Sequence, residues 1–287
     1  MIDTIQIRPL TMNDLDLYKQ MQTGIENDYI IRIFDRLINH KEHQVFGLFV
    51  ENELVSIAGY TVFAGHYAML GRLRSDLRYT GKGYATQLIQ FIIEQLKKMP
   101  EIKWIGANTQ RHNFSALRVL EKVQLPPIKA LHASTLVNSD GLDHTPGPIW
   151  TPVESLEEKR KWISQFENDS NVIFPYQAYY PFPATPELFN DDEVSNWLFY
   201  KNPDEDRLII VYHDQKKYNY AHVVYLWDDL FNQPGAWETI YEAHKTLQQQ
   251  HDEELKIRTD LTDESRKLIN DDAFEIQDPW VLHGVWV

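Results

Sequence analysis

With 287 residues and 43% apolar side chains, the chain is long enough for two domains of roughly 140 residues, each with its own core. A formal net charge of −14 speaks against nucleic acid or an anionic membrane as the main partner, because counterion release requires a basic face. The absence of cysteine excludes disulfides and thiolate metal sites, and no apolar run reaches the roughly 18 residues of a membrane span.

The first residues, "MIDTIQIRPL", carry charges where a secretory signal needs an apolar run, so a cytoplasmic protein is expected. Residues 3–11 alternate apolar and polar and predict a strand. Leu15, Tyr18 and Met21 recur three apart and predict a helix starting near Asn13 or Asp14. A second helical stretch covers 28–39. Two β-rich runs, 44–51 and 53–63, flank Glu51, Asn52 and Glu53 and read as a hairpin. A third strand, 66–75, runs into a glycine-containing loop. Beyond it Ala85, Leu88, Ile89, Ile92 and Leu96 recur at helical spacing, and the helix ends near Met99, before Pro100. A strand at 102–109, a helix at 113–122 and a strand at 128–137 follow. The strand, loop, helix and strand over 66–109 form a crossover unit, whose two strands should be parallel.

Between Gly71 and Lys82 this acidic chain gathers Arg72, Arg74, Arg78 and Lys82 against one acid, Asp76. A loop at a helix N-terminus offers converging N–H groups and the positive end of the helix dipole, and glycine lets a ligand approach the backbone. Gly81 and Gly83 supply that freedom, with charge from Lys82 and Arg78. Two glycines alone fit a plain chain turn equally well; the basic cluster tips the reading toward a phosphate. The stretch lacks the Gly-x-x-x-x-Gly-Lys-Ser/Thr of a P-loop. Thr86 stands where the dinucleotide fingerprint Gly-x-Gly-x-x-Gly needs its third glycine.

"YTGKGYAT" followed by a long helix resembles the cofactor loop of the GNAT-type acyl-CoA-dependent N-acyltransferases, where Gln/Arg-x-x-Gly-x-Gly/Ala follows a central strand. The match falls on Thr80, Gly83 and Ala85. In "NFSALRVLEKVQL", Asn113, Ala116, Glu121 and Lys122 resemble the family's second block, and the likeness spans residues 4–140. The resemblance implies an α/β (α+β) fold, a mixed sheet flanked by helices, and acetyl-CoA or a related acyl-CoA as acyl donor. It implies pyrophosphate on the amides of Thr80, Gly81, Lys82, Gly83, Tyr84, Ala85 and Thr86. Pantetheine would pair with the backbone of Leu73, Arg74 and Ser75, where the two parallel strands part, and Asn113 would face the pantetheine arm. Arg111 or Lys82 would meet the 3′-phosphate.

Two departures concern catalysis. Leu120 stands at the family's usual general-acid tyrosine, and Gly71 and Arg72 stand where many relatives carry a glutamate base. An amine with a pKa near 10 is almost wholly protonated at neutral pH, so attack on a thioester needs a proton acceptor. The candidates are Tyr60, His66 and Glu26, with Tyr67 and Asp28 beside them. For each of these the structural reading, a packed ring or a solvated acid, stands next to the catalytic one. Arg72 and Arg74 would share a strand face and either grip an acceptor carboxylate or pair with neighbouring acids.

The second half repeats the order weakly. A strand and helix over 147–166 parallel the opening; strands at 207–214 and 219–227 meet at a turn; a helix at 236–250, a strand at 254–261, a short helix at 263–271 and a terminal strand at 274–287 complete it. We therefore expect two tandem copies, 1–140 with the acyl-CoA loop and 141–287 without one. In the second copy Asp228 and Asp229 would repel a pyrophosphate and Pro234 offers no N–H. Nine aromatics lie between Phe174 and Tyr200, as a ligand wall or, on the plainer reading, as core. The histidines lack metal-site spacing, so no metal is expected. The function expected is transfer of an acetyl or short acyl group to an amine of a small molecule or peptide, by a monomer or homodimer without nucleic acid or membrane. The alternatives are a catalytically inactive CoA-binding sensor or scaffold, and an enzyme using the loop for ATP.

Overall fold

The computed structural model describes residues 4–169, 171–216, 218–270 and 272–287. Asp3, at the start of the strand expected at 3–11, Lys217, in the turn between the strands expected at 207–214 and 219–227, and Asp271, at the end of the helix expected at 263–271, lie outside them. Two compact units emerge. The first holds the residues up to Ile128 together with Leu282–Val287; the second is Lys129–Val281.

The first unit runs β1 (Ile5–Pro9), α1 (Leu15–Gln20), α2 (Tyr29–Asn39), β2 (His43–Val50), β3 (Glu53–Phe63), β4 (Tyr67–Ser75), α3 (Tyr84–Leu96), β5 (Trp104–Gln110) and α4 (Phe114–Lys122). Strands β1 to β5 lie side by side in chain order, antiparallel except for the expected parallel pair β4–β5. The hairpin at 50–53 closes because Glu51 and Asn52 both adopt positive φ, 50° and 70°, matching the twist of the strands. Helix α3 lays Leu88, Ile89, Ile92, Ile93 and Leu96 against Leu48, Val55, Ala58, Ala68 and Leu70 on one sheet face. On the other, Tyr18, Ile30, Phe34 and Leu37 of α1 and α2 pack on Val45, Phe49 and Ile57. Each such buried aliphatic or aromatic side chain stabilises the fold by about 1.5–3 kcal/mol.

Beyond β5 the sheet of this unit continues with the C-terminal residues. Gly284 N–H donates to Pro126 O (3.1 Å), His283 Nδ1 to Leu125 O (2.9 Å) and Val287 N–H to Lys103 O (2.9 Å). A Cβ on Gly284 would fall 2.2 Å from Trp104 Cζ2, so only glycine lets the strand lie on that indole.

The second unit takes in β6 (Pro127–Leu136, which begins two residues ahead of it), β7 (Thr151–Val153), α5 (Leu156–Ile163), β8 (Ile173–Gln177), β9 (Tyr180–Pro183), α6 (Asp191–Asn196), β10 (Leu198–Lys201), β11 (Leu208–Gln215), β12 (Asn219–Val224), α7 (Ala236–Gln248), β13 (Leu255–Leu261), α8 (Asp263–Arg266) and β14 (Phe274–Ile276). Its main sheet has the order β6-β13-β12-β11-β10-β7, with β12 and β13 parallel and joined through α7. The division at 128/129 differs from the expected 140/141 because β6 pairs with β13 and β14. The single strand expected at 274–287 is two, β14 and β15 (Trp280–Trp286), on either side of Pro279. The hairpin β8–β9, helix α6 and strand β10 fall where the sequence reading saw only aromatics.

Candidate functional site

The site builds around the end of β4. β5 pairs with β4 only from Tyr67↔Trp104 to Leu70↔Ala107, although β4 runs on to Ser75 and β5 to Gln110. The two strands therefore part after Leu70. On its other edge β4 carries a bulge: Ile57 faces Arg74 and Gly59 faces Gly71, so Arg72 and Leu73 share one opposing residue, with Arg72 at φ 60°. Past the bulge, Asp76 N–H donates to Val55 O and Arg74 O accepts from the Ser56 hydroxyl, so the main-chain groups of these two residues face β3. The peptide groups between Arg74 and Asp76 then send the Ser75 N–H and C=O to the open edge, and the pairing of Arg74 with Ile57 sends Leu73 O there too.

The loop that follows begins with a buried cap. Asp76 accepts from the N–H and guanidinium of Arg78 and from the N–H of Gln22, and the Arg78 hydrogen bond holds its carboxyl below the usual range against burial. Gly81 and Gly83 follow at φ 84° and 83°, and an added Cβ would meet nothing within 4 Å at either. Backbone conformation, and not crowding, requires glycine here; the space above the loop is open to a ligand. Gly83 caps α3 with no side chain satisfying the first amides. Thr80 and Lys82 spend their N–H groups on Leu77 O and Tyr79 O. The N–H groups of Gly81, Gly83, Tyr84, Ala85 and Thr86 have no acceptor among the described residues. That cluster of donors at a helix N-terminus suits a phosphate.

The surrounding charges differ from the expectation. Arg78 is committed to Asp76 (2.7 Å), Arg74 to Asp28 (2.7 Å), and Arg72 donates to Thr61 Oγ1 (2.8 Å). Lys82 is exposed, its ammonium 4.9 Å from the Tyr79 ring centre, and is the loop's cation without a carboxylate partner among the described residues. Asn113 sits just past the end of β5; its Oδ1 accepts from Ala116 N–H and caps α4, while its Nδ2 reaches Thr109 Oγ1.

The three catalytic candidates scatter. Tyr60 stands opposite Leu70, half-buried, with its hydroxyl 3.9 Å from Met99 Sδ, three residues past the end of α3. His66 precedes β4 and donates to Glu101 O (2.7 Å), roughly 25 Å along the strand from Ser75. Glu26 is exposed on the 22–28 turn, which is fastened to the loop's start through Gln22 and Asp76 and through Leu77 N–H and Gln22 O. Of the three, only Glu26 belongs to a segment tied to the open end of β4. Leu120 is buried in the core under α3. Arg74 takes the second of its two expected roles, pairing with a neighbouring acid, Asp28; the bulge at Arg72 has no local sign in "GRLRS".

In the second unit Gly235 caps α7 as Gly83 caps α3, at φ 78°. Here, however, a Cβ would fall 1.9 Å from Pro148 O, Gly235 N–H donates to Thr145 O, and Trp150 Nε1 donates to Pro234 O. The unit's own segment 145–150 fills the space a phosphate would take. The acids expected to repel a pyrophosphate are bound internally instead: Asp229 by Tyr225, Gln233 and Arg207, Asp228 by Thr262 and Ser265. Seven of the nine aromatics between Phe174 and Tyr200 are buried, which favours the core reading. Among the described residues no helix is long and apolar enough to cross a membrane, and no three acidic or histidine side chains are grouped to hold a metal.

Residues 11–124 match the acetyltransferase (GNAT) family. No curated protein matches the chain. A GCN5-related N-acetyltransferase from Sphaerobacter thermophilus shares its fold at a TM-score of 0.57 and 15% identity, over 98% of this chain and 95% of that one. A proposed acetyltransferase from Thermoplasma acidophilum does so at 0.51 and 15%, over 95% and 89%. At such identities the likeness concerns the fold alone.

Proposed function

We propose, for a chain that belongs to the GNAT acetyltransferase family through residues 11–124, that the open edge of β4 and the loop at 80–86 form its acyl-CoA site. The chain is an N-acyltransferase that uses acetyl-CoA as acyl donor. The observation that carries the site is the cluster of amides at Gly81 and Gly83–Thr86 with no acceptor among the described residues, beside the parted strands.

The residues fit the donor. The glycine cradle is open where a pyrophosphate would lie, Lys82 supplies charge, and the Leu73–Ser75 edge would lie along pantetheine as along an added strand. Acetyl-CoA supplies an acyl group activated as a thioester. A backbone N–H on this edge of the central strand would polarise its carbonyl, stabilising the negative charge that develops on oxygen. The acceptor amine of a small molecule or peptide would attack directly in a ternary complex; a chain without cysteine has no thiolate to carry the acyl group. Glu26, or water, would take the amine proton. The second unit is a degenerate copy that holds no CoA, which predicts one acyl-CoA per chain.

A second reading, a CoA-binding sensor, is favoured by Leu120, a buried leucine that cannot protonate a leaving thiolate. Titration calorimetry with acetyl-CoA, CoA and ATP, followed by a free-thiol assay on a panel of amines, separates the cases. Acetyl-CoA binding with thiol release on an amine supports the transferase; binding without release on every amine supports the sensor. Preference for ATP would remove the acyl-CoA site from this loop.

A further inference from the structure

The Arg74 guanidinium makes contacts in two directions. Nη1 donates to Leu73 O on its own strand (3.0 Å), while Nε and Nη2 hold the two oxygens of Asp28 (2.7 and 3.2 Å). Asp28 also accepts from the Tyr18 hydroxyl (2.6 Å) and from Ile30 N–H (3.1 Å), so it caps α2 and ties α1 to the same point. The side chains of Arg74 and Asp28 are 16% and 4% exposed. Burial pushes the Asp28 carboxyl up, but Arg74 and Tyr18 hold it below its usual range; the same burial and the Asp28 bond push the Tyr18 phenol up. The pair therefore stays charged with its hydrogen bonds made.

Leu73 O is not a neutral choice of partner. It lies on the open edge of β4, on the same side as the Ser75 N–H. An unsatisfied carbonyl there would place its negative end beside the spot where an edge N–H is to stabilise developing negative charge. Lysine cannot replace the planar fork, which serves a carbonyl on one side and a carboxylate on the other.

We infer that Arg74 is a positioning residue for acyl transfer: by occupying Leu73 O it fixes the Leu73–Ser75 edge so that its N–H donor meets the thioester carbonyl, with Asp28 and Tyr18 holding the guanidinium in place. The inference rests on the acyl-CoA reading of this edge, and it makes the α1–α2 segment part of the apparatus that polarises the thioester.

The test compares the native chain with Arg74→Gln and with the double variant Arg74→Gln, Asp28→Asn, which leaves no unpaired buried charge if the single variant folds poorly. Two readouts are taken. One is the infrared carbonyl stretch of bound [1-13C]acetyl-CoA; the other is thiol release with hydroxylamine, a small nucleophile that needs no acceptor pocket. The native chain should lower the stretch on binding. The variants should bind acetyl-CoA within about threefold of native, lose that lowering, and release thiol about ten- to a hundredfold more slowly, as expected when reacting groups shift by a fraction of an ångström. A variant that keeps both the lowered stretch and the rate overturns the inference. So does a variant whose affinity falls in proportion to its rate, since Arg74 would then serve binding alone. A native chain that does not bind acetyl-CoA overturns the underlying reading itself, a result distinct from either.

Discussion

Gly83 and Gly235 cap helices of equal length, thirteen residues each, with nearly the same left-handed backbone, yet a Cβ at Gly83 would meet open space and one at Gly235 would collide with Pro148 O. Similar local geometry thus serves a ligand in one unit and the unit's own chain in the other. Substitutions should separate the two roles. Gly83→Val should cost about 1–3 kcal/mol of stability from the positive φ, and should abolish acetyl-CoA binding by filling the cradle. Gly235→Ala adds a backbone clash to the same strain and should cost on the order of 3–5 kcal/mol. Urea unfolding and calorimetric titration measure both. A Gly83→Val chain with native affinity would remove the loop from the site.

The internal bonding of Asp228 and Asp229 leads to a second expectation. Asp229→Asn weakens the bonds to Arg207 and Tyr225 and should lower stability by about 1–3 kcal/mol while leaving acetyl-CoA affinity and one-to-one stoichiometry unchanged. A second equivalent of bound acetyl-CoA, in either chain, would contradict the filled helix terminus at Gly235.

Much of the first unit was legible because its signals are local. Hairpin 50–53, strand β3, the Gly81–Gly83 turn and the apolar stripe of α3 each depend on residues within a few positions of one another. What was hidden depends on distance or on exceptions. Arg72 takes φ 60° in a bulge that nothing in its side chain announces. Arg78, read as a phosphate ligand, is captured two residues back by Asp76, a cap that becomes visible only when the turn is formed. Pro175, Pro181 and Pro183 mask the β8–β9 hairpin, since proline argues against a strand. The placing of Leu282–Val287 in the first unit rests on pairing across most of the chain, which no local pattern reports.

That terminal segment gives a third expectation. Gly106 and Gly284 press on Trp104 from β5 and β15, with built Cβ atoms 2.0 and 2.2 Å from its ring. Gly284→Val should therefore destabilise the first unit by about 3 kcal/mol or more, and removal of residues 280–287 should abolish acetyl-CoA binding, although these residues lie some two hundred positions from the loop in sequence. Far-ultraviolet melting and titration of the truncated chain check this. Native affinity without the segment would show that the loop folds independently of it.

The buried ionic cluster of the second unit gives the last expectation. His222 on β12 is fully buried, with Nε2 3.0 Å from Asp260 Oδ2 and Nδ1 3.5 Å from Asp214 Oδ2, and Arg258 holds the other Asp260 oxygen at 2.9 Å. Burial alone would push the imidazole toward its neutral form, but the nearby Asp214 and Asp260 carboxylates outweigh it and raise the pKa above the usual 6.5. Burial likewise pushes Asp214 up, and His222 with Ala178 N–H brings it to about 2. The signs are opposite. A raised histidine contributes stability in full below about pH 6.5 and loses it as pH climbs through the folded value; a depressed aspartate contributes above about pH 4 and loses it as pH falls toward 2. The cluster should thus stabilise the second unit most between about pH 4 and 6.5 and less on the alkaline side, where a neutral imidazole no longer offsets the buried Asp214 and Asp260 carboxylates. His222→Gln should cost about 3–5 kcal/mol at pH 6, as removal of one partner from a buried ion pair does, and distinctly less at pH 9. The urea midpoints of both chains, followed from pH 5 to 9, decide it: convergence toward high pH is expected, and parallel curves would show that His222 is neutral throughout.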